Sequence, residues 1–307
     1  MGSEVAKVLA DLGMGGFATF LDFPHHDVHP GIDPTQVTLP GPFVVCVMGA
    51  SRGIGAGIAH AYARAGVSGL VLASRRVSGL EQTAAECREI NPSIHIDIIP
   101  CDITSDSSVR DLASKTQSKF GRLDVLAINS GFSGKPEPKV TETPTDVFVN
   151  ATNVNYVGTF LCAKYFIPLL VSTEDGAKAI IAVNSVATLI TRGVMASPSY
   201  CVSKTAQFRL MQMIHEQHHA TDGLVCYTMH PGGVATELAL STAPEFLHGY
   251  LTDSPELCGA FCVWLTKDRE HHWLSGRFSS VTWDTEQLDA KKQLVVEKDL
   301  LKLSLGA

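Results

Sequence analysis

A chain of 307 residues, 45% of them hydrophobic, can bury a large core, enough for one large domain or two small ones. The formal net charge is −7 at pH 7, and no basic stripe offsets it, which argues against nucleic acid as a partner. The eight cysteines are widely spread and form no Cys-x-x-Cys. They point away from a zinc site and a disulfide frame and toward a reducing compartment, with no metal expected. No apolar run approaches the roughly 20 residues that span a bilayer, and Glu4 and Asp11 stand where a leader would be basic. The expectation is a soluble, cytoplasmic protein with no membrane partner.

Residues 1–41 read as an N-terminal extension lying over the surface of a single domain, 42–307. Val5 to Leu12 has the pattern of a short helix. Beyond it, Pro24, Pro30 and Pro34 exclude a long regular element. From Pro42 the chain alternates. Buried strands are predicted at Phe43–Met48, Gly69–Ala73, Ile94–Ile99, Leu123–Ile128, Ala179–Val183 and Leu224–Met229. Amphipathic stretches lie between them, marked by Ile54, Ile58, Ala61 and Ala65; by Val109, Leu112 and Thr116; by Val154, Val157, Leu161 and Tyr165; and by Phe208, Met211 and Ile214. A last strand near Phe278–Trp283 and a tail helix from Thr285 to Leu303 close the domain. Such alternation implies a parallel sheet, here seven-stranded, with right-handed crossovers: a doubly wound α/β Rossmann fold.

The first strand runs into Gly49-Ala-Ser-Arg-Gly53-Ile-Gly55, and a helix follows. Glycines at a strand-to-helix turn let backbone N–H groups approach a pyrophosphate at the helix N-terminus, so this is a candidate dinucleotide site. The second strand ends in Ser74-Arg75-Arg76, with no acidic residue for a ribose 2′-hydroxyl. Arg75, helped by Arg52, can meet a 2′-phosphate instead, which points to NADP(H). Asp102 follows the third strand, where an adenine would lie.

Tyr200 and Lys204 are four apart, on one face if helical. An ammonium held beside a phenol favours the phenolate and is expected to draw the tyrosine pKa toward neutrality, fitting it for proton transfer.

Together these residues resemble the short-chain dehydrogenase/reductase family over roughly residues 40 to 285. The motifs occur in family order: Gly49–Gly55, Asp102, Asn129-Ser-Gly131, Asn155, Ser185, Tyr200/Lys204 and Pro231-Gly-Gly-Val-Ala-Thr236. The extension, with Gly31-Ile-Asp-Pro34, and the ending Val281-Thr-Trp-Asp284 resemble fungal members, many of which tailor secondary metabolites. The resemblance implies that Tyr200 is the general acid, that Lys204 binds the nicotinamide ribose, and that Ser185 holds the substrate oxygen. It implies that Asn155 holds a water in a relay to Lys204. The implied cofactor contacts are Gly49, Ser51, Arg52, Gly53, Ile54, Gly55, Ser74, Arg75, Asp102, Ile103, Asn129, Gly131, Pro231, Gly232, Val234 and Thr236. The reaction implied is NADPH-dependent reduction of a ketone, or the reverse oxidation, on a medium-to-large hydrophobic substrate. The alternative is a tailoring step with no net redox change: isomerisation, epimerisation or cyclisation.

The chain departs from the family pattern in places. Met48 replaces a threonine whose hydroxyl would brace the glycine turn, and Ser130 replaces an alanine. Ser185 and Tyr200 are two residues further apart than usual. The extra residues fall in a loop, 188–197, where Arg192 is a candidate for an anionic substrate group. Residues 233–255 are expected to form an apolar lid over the substrate. A homodimer or homotetramer is implied through the helices near 145–170 and 198–218, with Phe160, Phe208, Met211 and Ile214 facing either the partner or the sheet.

Overall fold

The computed structural model describes Phe17 and residues 20–22, 24–137 and 139–304. The helix expected at Val5 to Leu12 lies outside the described residues. Seven strands form one sheet: β1 Val44–Met48, β2 Gly69–Ser74, β3 His95–Pro100, β4 Val125–Ile128, β5 Ala179–Val183, β6 Val225–His230 and β7 Phe278–Ser280. Their order is β3-β2-β1-β4-β5-β6-β7, and every pairing is parallel. The chain reverses direction across the sheet between β1 and β4. In such sheets a ligand crevice opens beyond the carboxyl ends of those two strands.

Alternate strand residues face opposite layers. Val45, Val47, Leu70 and Leu72 pack beneath α1 (Gly53–Arg64), α2 (Val77–Ile90) and α7 (Pro255–Thr266). Val44, Cys46, Met48 and Val71 pack against α3 (Asp106–Phe120), α4 (Thr145–Ser172) and α5 (Pro198–Asp222). The eight cysteines are buried thiols within these layers. Helix α4 is long and apolar enough, by length and composition, to cross a membrane, yet half of its most apolar window is buried within the fold. Its Thr152–Val157 stretch widens into π-helical turns, and Asn155 sits there, fully buried.

The extension is tied down as an irregular strap. Leu21, Ile32 and Leu39 are buried in the main core. Phe17 and Phe20 pack at 5.0 and 5.4 Å from the Trp283 ring. Leu39 N–H donates to Ala65 O at 3.1 Å, and Lys291 Nζ to Phe20 O at 2.6 Å.

Two expectations near the end of the chain are corrected. The last strand stops at Ser280, because Trp283 N–H turns back to Ser280 O. The single tail helix is two short ones, α8 Thr285–Ala290 and α9 Lys292–Glu297, broken at Lys291. Asp299 and Leu301, at φ 48° and 63°, then take the backbone out of helix altogether. Between β6 and α7, α6 (Glu237–Thr242) and a tighter turn at Glu245–Tyr250 cover the crevice, where the apolar lid was expected.

Candidate active site

A cleft of about 1690 Å³ opens at the β1/β4 crevice. Of the sixteen residues expected at the cofactor, all but Gly55 line it. Gly55 lies just behind the wall, packed on the turn itself. A Cβ there would fall 2.0 Å from Gly49 O and 2.7 Å from Asn129 Nδ2. Gly49 and Gly53 adopt φ +92° and +54°, a left-handed backbone that only glycine takes without strain. Asn129 Nδ2 donates to Gly49 O at 3.0 Å, joining the β1 and β4 turns. The brace that Met48 cannot supply comes from α2: the Thr83 hydroxyl lies 3.0 Å from Ala50 O.

Arg52, Arg75 and Arg76 are exposed along one rim of the cleft. Glu237, at the start of α6, pairs with Arg52 and lies 3.7 Å from Arg76. Asp102 accepts from Thr104 N–H and Oγ1–H at 2.9 and 2.8 Å. Burial opposes its charge, but these bonds and nearby Arg75 hold its carboxyl below the usual range. The residues present thus fit a dinucleotide: a glycine turn with close backbone approach, a helix N-terminus and a cationic rim.

Tyr200, Lys204 and Ser185 converge in the cleft, whereas Asn155 is fully buried behind its lining. Pro198 at the first turn of α5 and the αL residue Gly223 after it fix that helix. Tyr200 lies in its first turn and Lys204 one turn on. Ser185 follows β5 and stands close enough to the Tyr200 phenol to favour its ionised form, so the longer spacing is absorbed without separating the pair. Ala187, Ile190 and Cys201 pack together with Met195 and Tyr200 to hold the added loop. Arg192 is exposed and lies outside the cleft lining.

The expected effect of Lys204 on Tyr200 is not what the structure holds. Burial pushes the phenol up to about 12, against the influence of nearby Ser185. Burial also lowers Lys204 to about 7. Its Nζ is 5.9 Å from the ring centroid and points instead to Val183 O at 2.9 Å and Gln207 Oε1 at 3.1 Å. An i, i+4 spacing sets a shared face but not where a four-carbon stem aims its tip. Asn155 Oδ1 accepts from Phe132 N–H, and its Nδ2 donates to Phe132 O and Ser203 Oγ, all within 2.9 Å.

Several cleft residues escaped the sequence reading. Leu21, Asp22, Pro24 and His26 of the extension form part of its wall, facing Phe246, Leu247 and Tyr250. His26 Nδ1 lies 2.5 Å from Asp253 Oδ1, and His26 O accepts from Ser254 N–H at 2.8 Å. His230, at the end of β6, is pushed down to about 4 by burial and so stands neutral beside the site. No local pattern marks a strap that closes over a distant site. His230, next to Pro231-Gly232, was adjacent to a motif and could have been found.

The family described as short chain dehydrogenase matches residues 43–245. The short chain dehydrogenase pgmD of Aspergillus terreus is 34% identical over 309 residues, covering 97% of this chain and 96% of that one. The short chain dehydrogenase citE of Monascus ruber is 35% identical over 290 residues, covering 94% and 96%. This chain belongs to the short-chain dehydrogenase/reductase family. The fold agrees. A short chain dehydrogenase from Salmonella enterica superposes with a TM-score of 0.71 at 22% identity, covering 83% of this chain and 99% of that one. A 7α-hydroxysteroid dehydrogenase complexed with NADH and 7-oxo glycochenodeoxycholic acid gives 0.70 at 22% identity, covering 83% and 97%. As a short-chain dehydrogenase/reductase this chain is an oxidoreductase with a nicotinamide cofactor and a small-molecule substrate.

Proposed function

We propose that residues 42–307 form an NADPH-dependent reductase domain, acting on a ketone of a medium-to-large hydrophobic substrate, a secondary metabolite of its fungal host. The observation that carries this reading is that Ser185, Tyr200 and Lys204 meet in one cleft whose rim carries three exposed arginines. The nicotinamide, when bound, supplies the hydride. Gly49, Gly53 and Ile54 would seat the pyrophosphate, Asn129 and Gly131 the ribose, and Pro231 to Thr236 the nicotinamide. Ser185 orients the carbonyl oxygen and Tyr200 delivers a proton to it. A phenol at about 12 keeps its proton at neutral pH, which favours the reductive direction. The lid, 233–255, supplies Leu238, Phe246, Leu247 and Leu251 to the cleft and suits an apolar substrate. We place the protein in the cytoplasm as a homodimer or homotetramer. On α4 and α5, Phe148, Val149, Tyr156, Phe160, Val202 and Met213 are exposed, whereas Phe208, Met211 and Ile214 are buried in the chain's own core.

Arg75 and Arg52 give the preference for the 2′-phosphate. Arg75→Ala is expected to weaken NADPH binding by about 10- to 100-fold, the loss of one charge-assisted contact, and to leave NADH binding nearly unchanged. Fluorescence titration with both cofactors checks it, and equal losses would defeat the assignment. Glu237 competes for Arg52 and also lies beside Arg76. Glu237→Gln is expected to tighten NADPH by up to about fivefold, within the range of an exposed ion pair. Looser binding in that variant would mean that Glu237 orders the rim.

The direct test is NADPH consumption, followed by its near-ultraviolet absorbance, with bulky ketones and quinones. Consumption that disappears in Tyr200→Phe establishes a carbonyl reductase. Tight binding with no consumption across the panel moves the reading to a non-redox tailoring step.

A further inference from the structure

The Lys204 side chain ends in a buried hydrogen-bond network centred on a residue outside the candidate catalytic set. Gln207 is fully buried, one turn beyond Lys204 on α5. Its Oε1 accepts from Lys204 Nζ at 3.1 Å and from Asn184 Nδ2 at 2.9 Å. Its Nε2 donates to Thr159 Oγ1 at 2.8 Å, and that hydroxyl donates to Asn155 O at 2.8 Å in the π-helical stretch. Asn184 also donates to Lys204 O at 2.9 Å, and its Oδ1 accepts from Ser185 N–H at 2.7 Å.

The donor and acceptor inventory allows one orientation of Gln207. The Thr159 hydroxyl gives its only proton to a carbonyl, so it must accept from the glutamine. The Lys204 and Asn184 nitrogens are both donors, so they must face an oxygen. A flipped amide would set two N–H groups against two donors in a site without water contact, leaving buried polar groups unmatched.

We infer that Gln207, locked by Asn184 and Thr159, is a positioning residue for Lys204: its carbonyl oxygen aims the ammonium and stabilises its charged form. This rests on the reading of Lys204 as part of the reaction centre. An amide does not pass a proton on, so this line holds the lysine and does not relay. The groups facing the ammonium support the assignment. On α5 the titratable one is Tyr200. β5 contributes the Val183 carbonyl, the following turn Asn184 and Ser185, and α4 Asn155 and Thr159, all uncharged. Burial is what lowers Lys204, and Gln207 and Val183 are the acceptors that oppose it.

The test reads Lys204 itself and needs neither substrate nor cofactor. The lysine Nζ signals of the full-length protein, labelled at Nζ, are titrated by NMR, with Lys204→Met to assign the resonance. Wild-type Lys204 is expected to titrate near neutrality. Gln207→Leu is expected to move the midpoint down by about one pH unit, and Gln207→Glu to move it up by about one or more, because a carboxylate replaces a dipole. Opposite shifts are something that a packing role would not produce. If Gln207→Leu fails to fold, the isosteric Gln207→Glu carries the test alone. Unchanged midpoints in folded variants would overturn the inference. The result is independent of the redox reading, since turnover surviving in Tyr200→Phe would defeat the acid role and leave the lysine titration standing.

Discussion

Tyr200→Phe is expected to lower reduction of the ketone by about 10²- to 10⁴-fold while NADPH affinity stays unchanged. The substitution keeps the ring that packs with Ala187, Ile190 and Cys201 and removes only the hydroxyl. Ser185 remains to orient the carbonyl, but no proton follows the hydride, and the buried pocket admits little water to replace it. Single-turnover absorbance with pre-bound NADPH separates the two quantities. A rate near that of the unaltered protein would show that another group protonates the product. His230 is a poor substitute, since burial holds it neutral down to about pH 4.

Gly55→Ala should be as damaging, for a geometric reason. The added methyl would meet Gly49 O at 2.0 Å. Gly49 cannot yield. Its own N–H donates to Ala73 O at 2.6 Å, and a Cβ on it would already touch Ser130 N at 2.8 Å. Overpacking of this kind costs about 1–3 kcal/mol or more, and relief must come from opening the turn that seats the pyrophosphate. The expected result is a lower melting temperature with loss of dinucleotide binding. Gly66→Ala, on the same side of the sheet, is the control: nothing lies within 4 Å of that position, although its φ of +78° brings modest strain. Unimpaired NADPH binding in Gly55→Ala would mean that the cofactor does not sit on this turn.

The strand and helix periodicities carried the fold, because a parallel sheet buried on both faces writes itself as uninterrupted apolar runs. β1, β2, β3, β5 and β6 fall within about one residue of where those runs place them, and β4 starts two residues later. β7 and the tail did not, since local turns at Ser280–Trp283 and Lys291 interrupt an otherwise suitable pattern. The cofactor half of the site was legible because its chemistry depends on backbone shape, and glycines announce that. The electrostatics of Tyr200 and Lys204 were not. Both depend on burial, and Lys204 also meets Gln207, whose position three residues on looks like any other helical residue. The arginine rim was readable, but its partner Glu237 was not, because the turn that brings α6 back over β1 leaves no periodic trace.

One wall of the cleft is built by Leu21, Asp22, Pro24 and His26, which belong to no strand or helix of the sheet. The glycine turn of the cofactor half is packed tightly between β1 and β4, so a change there is felt in the sheet. The strap answers to fewer neighbours. Substitutions within it can redraw the substrate boundary and leave hydride and proton delivery where they are. A change of substrate then has a route that leaves the Rossmann frame as it is: substitution in the N-terminal strap.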